Sequence, residues 1–420
     1  MNQNNIQIIG QGTYGCVYRP NIDCQTKKID SKQFLSKIQR KDKTSKNEIV
    51  IGKKIISLPK NIYSNRFAPI LESCPIEIGK MEEQQFSTCK MIVQGKEKIK
   101  KTGLLSNKIQ YVGEQTLGDY LESELTTKDN TTQYIKKVAE SHLYLLKSLE
   151  ILNQTNVLHL DLKHNNVMFD EKKGFPIIID FGLSYNSENL DMSKYKVQEH
   201  KFGIMTDFYI PWTIETVMLS HVAKHLSSKS TQTVDEAKLD EKITNIKMLE
   251  SIVKNYVKKH GLLQSRKIFT EEESQQYEKN MLQWVSSFKD KTWRTLWTSL
   301  CSSNKTWDTY SLSILYLIEL QLAGLIQLSK KEDNTFLTKY MELLKQSILS
   351  KPEDRVLPSD IRKKLYIIFT QVNKMDYNQV VKQISRSVQE NKAKIVKNRA
   401  KENLQTLQEE KQIHDKFNAR

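Results

Sequence analysis

The stretch His159-Leu160-Asp161-Leu162-Lys163-His164-Asn165-Asn166, answered by Asp180-Phe181-Gly182, constrains this chain more than any other. It fixes two carboxylates and an amide at set intervals, with Asp180 fourteen residues after Asn166. Apolar residues lead into each motif, Val157-Leu158 into the first and 177–179 into the second, so both read as strand edges. A carboxylate at Asp161 can take up a hydroxyl proton, and the oxygens of Asn166 and Asp180 can ligate a hard cation. Such groups suit magnesium-assisted movement of a phosphoryl group.

The spacing Asp161-x-Lys163-x-x-Asn166 followed by Asp180-Phe181-Gly182 resembles the catalytic and metal-binding loops of the eukaryotic-type protein kinases, and Lys163 resembles that of the serine/threonine branch. The resemblance implies an α+β bilobal fold: a small β-rich N-lobe, a larger helical C-lobe, and ATP with Mg2+ as cofactors. It implies catalytic roles for Asp161 and Lys163 and metal ligation by Asn166 and Asp180. One position departs. Leu160 stands where most of the family has an arginine that clamps an activation-loop phosphate, which implies that this switch is not needed.

Gly10-Gln11-Gly12-Thr13-Tyr14-Gly15-Cys16-Val17 forms a glycine-rich turn between strand-like runs, and such turns let backbone amides approach phosphates. Val17-Tyr18 continues as strand to Pro20, and no helix opens at the third glycine, which argues against a dinucleotide fold. By resemblance, Val17 covers the adenine and Met168 lies beneath it. Lys37, inside the apolar run 34–38, resembles the strand lysine that holds the α- and β-phosphates, ahead of Lys27, Lys28 and Lys32 in a polar turn. Its expected partner is Glu48, at a short interval that requires a short or abruptly entered helix. Residues 67–71 and 90–93 are expected strands, and 109–114 the last strand, where Val112 to Glu114 meet the adenine edge.

Helical spacing marks 133–154, with His142 structural and His159 a brace for the loop. After Asp180 come seven hydroxyls, Ser184, Tyr185, Ser187, Ser193, Tyr195, Thr206 and Tyr209, none distinguished by sequence. Tyr209-Ile210-Pro211-Trp212-Thr213-Ile214-Glu215 resembles a degraded close of the activation segment. By the same resemblance Glu215 pairs with Arg355, and Asp308 bonds the catalytic-loop backbone. Between Glu215 and Asp308 lie 92 residues, far more than the family has, so a helical insertion is expected. In it Leu239, Ile243, Ile246, Leu249, Val253 and Tyr256 keep helical spacing with Gly261 as stop, and Thr270 with Glu273 forms a capping box before a helix reaching Phe288. Trp284, Trp293 and Trp297 are candidates to seat it; it is a brace or a partner-binding surface. The tail carries a thin stripe, Val381, Ile384, Val388 and Ile395, that fits a partly exposed helix and not a coiled coil. The resulting divisions are 1–112 N-lobe, 113–216 first part of the C-lobe, 217–306 insertion, 307–372 remainder of the C-lobe and 373–420 tail.

Five cysteines scattered without close pairs are expected to be reduced thiols in a reducing compartment. A polar start runs straight into 6–9, which reads as no signal peptide, and the apolar run 312–328 holds Glu319, a buried helix and not a membrane span. An intracellular, cytoplasmic protein is therefore expected. The net charge of +16 is concentrated in residues 1–110, with 20 basic residues against 9 acidic. It favours acidic partners or nucleic acid by long-range attraction, but no zinc-finger or aromatic-interleaved basic motif makes that specific. A lysine-rich surface around a site for a polyanionic nucleotide is the simpler reading. The Gly-Cys-Val turn, Arg19-Pro20, Cys24, the Leu-Ser-Lys strand and the long insertion also resemble the divergent kinases of large nucleocytoplasmic DNA viruses, which implies host cytoplasm or virion. Protein substrates with serine or threonine acceptors follow from the resemblance. The rivals are a pseudokinase scaffold that binds partners through the insertion and a small-molecule kinase.

Overall fold

The computed structural model describes residues 7–11, 15–22, 28–29, 33–76, 88–190, 208–227, 234–265, 267–326, 335–372 and 374–418. The chain divides into two compact units: Met1–Thr116 with Asn166–Ser184 and Leu404–Arg420, and Leu117–Asn165 with Tyr185–Asn403.

The first unit holds β1 (Gln7–Gln11), β2 (Gly15–Arg19), β3 (Asn21–Ile22), β4 (Lys28–Ile29), β5 (Phe34–Arg40), β6 (Phe67–Ala68), β7 (Glu72–Ile76) and β8 (Leu104–Gln110). Its helices are α1 (Lys43–Ile56), α2 (Lys60–Arg66), α3 (Lys90–Gln94) and α4 (Lys96–Thr102). A five-stranded antiparallel sheet runs β1-β2-β5-β8-β7. Strand β5 is inner and buried along its length, so its polar Ser36 needs partners. The Ser36 hydroxyl accepts from Ile22 N at 2.7 Å and donates to Asn21 Oδ1 at 2.8 Å. Gly15 is required where β2 meets β5, because a Cβ there would lie 2.2 Å from the Ile38 carbonyl oxygen. Four later strands are β9 (Val157–Leu158), β10 (Val167–Asp170), β11 (Phe175–Ile179) and β12 (Tyr185–Asn186). The β10–β11 hairpin belongs to the first unit, where β11 joins β6 in parallel; β9 and β12 pair in the second.

Two expectations fail in the first unit. Residues 90–93 are helical, not a strand: Val93 N bonds Cys89 O at 3.0 Å, and a four-residue apolar run has no period that separates the two states. The cysteines are not all reduced. Cys16 on β2 is disulfide-bonded to Cys89, both fully buried, and Cys74 is disulfide-bonded as well. Cys301 is a free, buried thiol. A bond across a sequence separation of 73 leaves no spacing signal. By chain entropy such a closure stabilises by about 4 kcal/mol.

The second unit is mainly helical: α5 (Leu117–Thr126), α6 (Thr131–Gln154), α7 (Ile214–Leu226), α8 (Glu236–Leu239), α9 (Lys247–Lys259), α10 (Gly261–Gln264), α11 (Glu271–Ser286), α12 (Trp293–Ser302), α13 (Trp307–Leu322), α14 (Phe336–Leu349), α15 (Pro358–Thr370) and α16 (Lys374–Asn418), the last of which belongs to this unit as far as Asn403. Helix α6 is capped by Asn130, whose side chain accepts from Gln133 N. His142 on α6 stacks on Tyr316 and meets Tyr340 Oη at 2.9 Å, and burial lowers its pKa to about 3, so it is a neutral core group. Among the described residues no helix is long and apolar enough to cross a membrane.

The insertion departs from its expected outline. The periodic run from Leu239 to Tyr256 is broken into α8 and α9, and the residues between them bridge Lys242 to Thr292. Helix α9 ends at Lys259 with His260 as its C-cap, just before the expected stop at Gly261; Gly261 then opens α10, with His260 as the cap whose Nδ1 accepts from Leu263 N at 3.4 Å. The capping box at Thr270 and Glu273 is present at 3.2 and 2.7 Å, and α11 ends at Ser286, short of Phe288. Trp297 is buried and its Nε1 donates to Leu190 O at 3.4 Å. In the tail helix the buried stripe is Val380, Ile384, Val388 and Ile395, with Val381 beside it. The stripe closes on Arg399, whose guanidinium is buried against Glu319 and Glu122.

Candidate active site

In the first unit three charges meet. Lys37 Nζ lies 2.8 Å from Glu48 Oε1 and 3.0 Å from Asp180 Oδ1, and Gln39 Nε2 donates to Glu48 Oε2 at 3.2 Å. The short Lys37–Glu48 interval is explained by an abrupt entry and not by a short helix: β5 ends at Arg40 and α1 begins at Lys43. Asp42 caps that helix, its carboxylate accepting from Ser45 N at 3.0 Å while Ser45 Oγ accepts from Asp42 N. Burial works to lower the Lys37 pKa, but the Asp180 and Glu48 carboxylates outweigh it and hold the ammonium well above its ordinary range. For Glu48, burial and the Asp180 charge raise the pKa against the opposing pull of Lys37.

Asp180 adopts φ +58, uncommon outside glycine, and its Oδ1 also accepts from Gly182 N at 3.2 Å. The hairpin register pairs Val167 with Ile178, so Asn166, just before β10, and Asp180, just after β11, share one end of the hairpin. Two protein oxygens suit magnesium, which keeps several waters and takes phosphate oxygens. Among the described residues no three His, Cys, Asp or Glu gather into a fuller cage. Val112 is buried with Ala68 and Ile177, and Met168 packs against them. Gly113 has φ +122 beside the Phe169 carbonyl, a conformation that favours glycine. Gly10, Gln11, Gly15 and Val17 lie on β1 and β2, where Gly10 pairs with Val17; Gly12, Thr13 and Tyr14 lie outside the described residues.

In the second unit the stretch from His159 to Asp161 is pinned through its backbone. Asp308 accepts from His159 N at 2.7 Å and Leu160 N at 2.8 Å, and His159 Nδ1 accepts from Asp161 N at 3.2 Å. Leu160 has φ +61 and a buried side chain. Asp161 Oδ1 lies 2.9 Å from Lys163 Nζ. Tyr209 joins both: its hydroxyl donates to Asp161 Oδ1 and accepts from Lys163 Nζ at 2.8 Å. By sequence Tyr209 was one hydroxyl among seven; its place six residues before Glu215 was the available signal. Glu215 and Arg355 form a bidentate pair at 2.7 and 3.2 Å, with Ser303 Oγ donating to Glu215 at 3.0 Å. Burial raises the Glu215 pKa, but Arg355 outweighs it and holds the carboxyl below its usual range.

Residues 3–203 match the protein kinase domain family. The chain is also similar to a probable serine/threonine-protein kinase of Dictyostelium discoideum, fnkB, with 35% identity over 104 residues. That match covers 24% of this chain and spans 18% of the relative's length. With the five-stranded sheet and the helical remainder, these likenesses make the fold that of a protein kinase, α+β in class, and support a eukaryotic-type protein kinase.

Proposed function

We propose that this protein transfers the γ-phosphoryl group of ATP to serine or threonine hydroxyls of other proteins. The observation that carries the reading is Lys37, held at once by Glu48 and by the aspartate of Asp180-Phe181-Gly182. An ammonium that gives two of its three donors to carboxylates keeps one for a phosphate oxygen. In this reading Lys37 holds the α- and β-phosphates, residues 10–15 cover them, and Val17, Val112 and Met168 enclose the adenine. Asp161 accepts the acceptor hydroxyl's proton as its oxygen bonds the γ-phosphorus, the bond to the bridging oxygen breaks and ADP leaves. Lys163 offsets charge on the moving group, and Asn166 and Asp180 supply oxygens to magnesium, which when bound neutralises phosphate charge.

The serine/threonine preference rests on Lys163 and on the named relative. The resemblance to kinases of large DNA viruses supports the host cytoplasm or virion; the Cys16–Cys89 disulfide favours the virion, since cytosolic thiols are kept reduced. The test is labelled ATP with magnesium and a basic protein acceptor. Label on serine or threonine in the wild type, absent in Asp161→Asn and Asp180→Ala, supports the reading. ATP binding without transfer in the wild type rejects it in favour of a scaffold.

A further inference from the structure

The segment that carries Tyr209 is held from one side by the insertion. Phe208 packs edge-on against Tyr256 and His260 at centroid distances of 5.7 and 5.4 Å. The polar contacts then run in one direction. His260 Nδ1 accepts from Leu263 N at 3.4 Å, and burial keeps the ring neutral, with a pKa lowered to about 3. Its proton therefore sits on Nε2, which donates to Tyr310 Oη at 2.9 Å. Tyr256 Oη donates to the Trp212 carbonyl at 2.9 Å, so the 2.6 Å contact between the two tyrosines is donated by Tyr310. All three side chains are fully buried, where a polar group without a partner is costly and each bond polarises the next.

The chain ends on the catalytic loop. Trp212 Nε1 donates to Leu160 O at 2.8 Å, its ring meets Tyr209 edge-on at 5.8 Å, and the Tyr209 hydroxyl joins Asp161 to Lys163. Two of the three links, Tyr256 and His260, come from the insertion; the third, Tyr310, lies two residues after the loop-pinning Asp308. Leu160 carries no charge, so this position offers no cation to hold a phosphate.

We infer that the insertion is a built-in clamp: through the chain His260, Tyr310, Tyr256 it fixes Trp212 and Tyr209 against Asp161 and Lys163, and so replaces activation-segment phosphorylation. Tyr256 is then a positioning residue. This inference rests on the kinase reading for its activity readout and on backbone exchange for an independent one.

The test compares full-length wild type, Tyr256→Phe, Tyr209→Phe and the double variant, with Mg-ATP and a serine/threonine peptide library. Tyr256→Phe removes one hydroxyl and keeps the ring. The clamp predicts a roughly tenfold fall in kcat with the KM for ATP within about twofold, the scale of one lost buried hydrogen bond. It predicts that the double variant is no worse than Tyr209→Phe alone, since both act on one limb. Amide exchange should rise over residues 208–213, and phosphatase treatment of the wild type should leave its activity unchanged. Should Tyr256→Phe not fold, Tyr310→Phe breaks the same chain at its middle link. An unchanged kcat, multiplying effects in the double variant, or loss of activity on dephosphorylation overturns the clamp. If the wild type transfers no phosphate, the kinase reading fails on its own, and the exchange rates of 208–213 still decide whether the clamp exists.

Discussion

Two buried groups of charge differ in how they are balanced. Glu215 and Arg355 are one anion and one cation, both side chains wholly buried, joined by two hydrogen bonds with Ser303 as a third donor. Around Lys37 one ammonium serves two carboxylates, and the Asp180 side chain is 30% exposed. In the first, the partner overcomes burial and the carboxyl is held below its usual range; in the second, burial and a second anion push Glu48 up. A matched pair completes its own electrostatics and fixes structure. An unmatched trio carries a net negative charge with one edge open to solvent, which suits it to a divalent cation and phosphate.

Lys37→Met gives the largest expected effect on this contrast: a loss of about a thousandfold in kcat/KM, the scale of removing a preorganised electrostatic group. Its change in unfolding free energy should be smaller than that of Arg355→Ala. A Lys37→Met variant that loses more stability than activity would erase the distinction. Next comes Arg355→Ala, which leaves Glu215 buried without its cation and should cost about 3–5 kcal/mol in urea unfolding. A cost well under 1 kcal/mol, by the same principle, would mean the pair holds nothing.

The two groups should also respond to pH with opposite signs. Glu215 has a depressed folded pKa, so its contribution is present above the unfolded value and is lost as pH falls through the folded one. Glu48 has a raised folded pKa, so its contribution is full below the unfolded value and is lost as pH rises through the folded one. Urea midpoints across the acid-to-neutral range should therefore show Glu48→Gln losing the decline toward neutrality, with the acid-side loss retained. The smallest effect belongs to neither group: Thr270→Ala removes one cap and should cost about 1 kcal/mol with phosphotransfer unchanged.

Some of these groupings were legible because they lie within a short spacing. Asp161, Lys163 and Asn166 sit within six residues, and a capping box declares itself at Thr270 and Glu273. Glu215, Asp308 and Arg355 were legible only through resemblance, since the pairings they make span about a hundred residues or more. Tyr209 was hard to single out because its partners lie 46 and 48 residues away, and its local mark was its place six residues before Glu215. The tail stripe was read one residue off because Val380 and Val381 are adjacent and apolar, and Arg399 was missed because hydrophobic periodicity does not register a buried guanidinium.

Sequence by itself determined the chemistry this chain can carry: which carboxylates, amide and lysines stand in which order, and which runs can bury a face. Local spacing is enough for that, because loops and caps are built from neighbours. Tertiary structure decided which of those groups meet. The Lys37 ammonium shared by Glu48 and Asp180, the disulfide from β2 to the residue that caps α3, and the path from His260 to the Trp212 carbonyl all join distant segments. Long-range partners are chosen by burial, where each polar group must find another, and that choice is made only when the chain is folded.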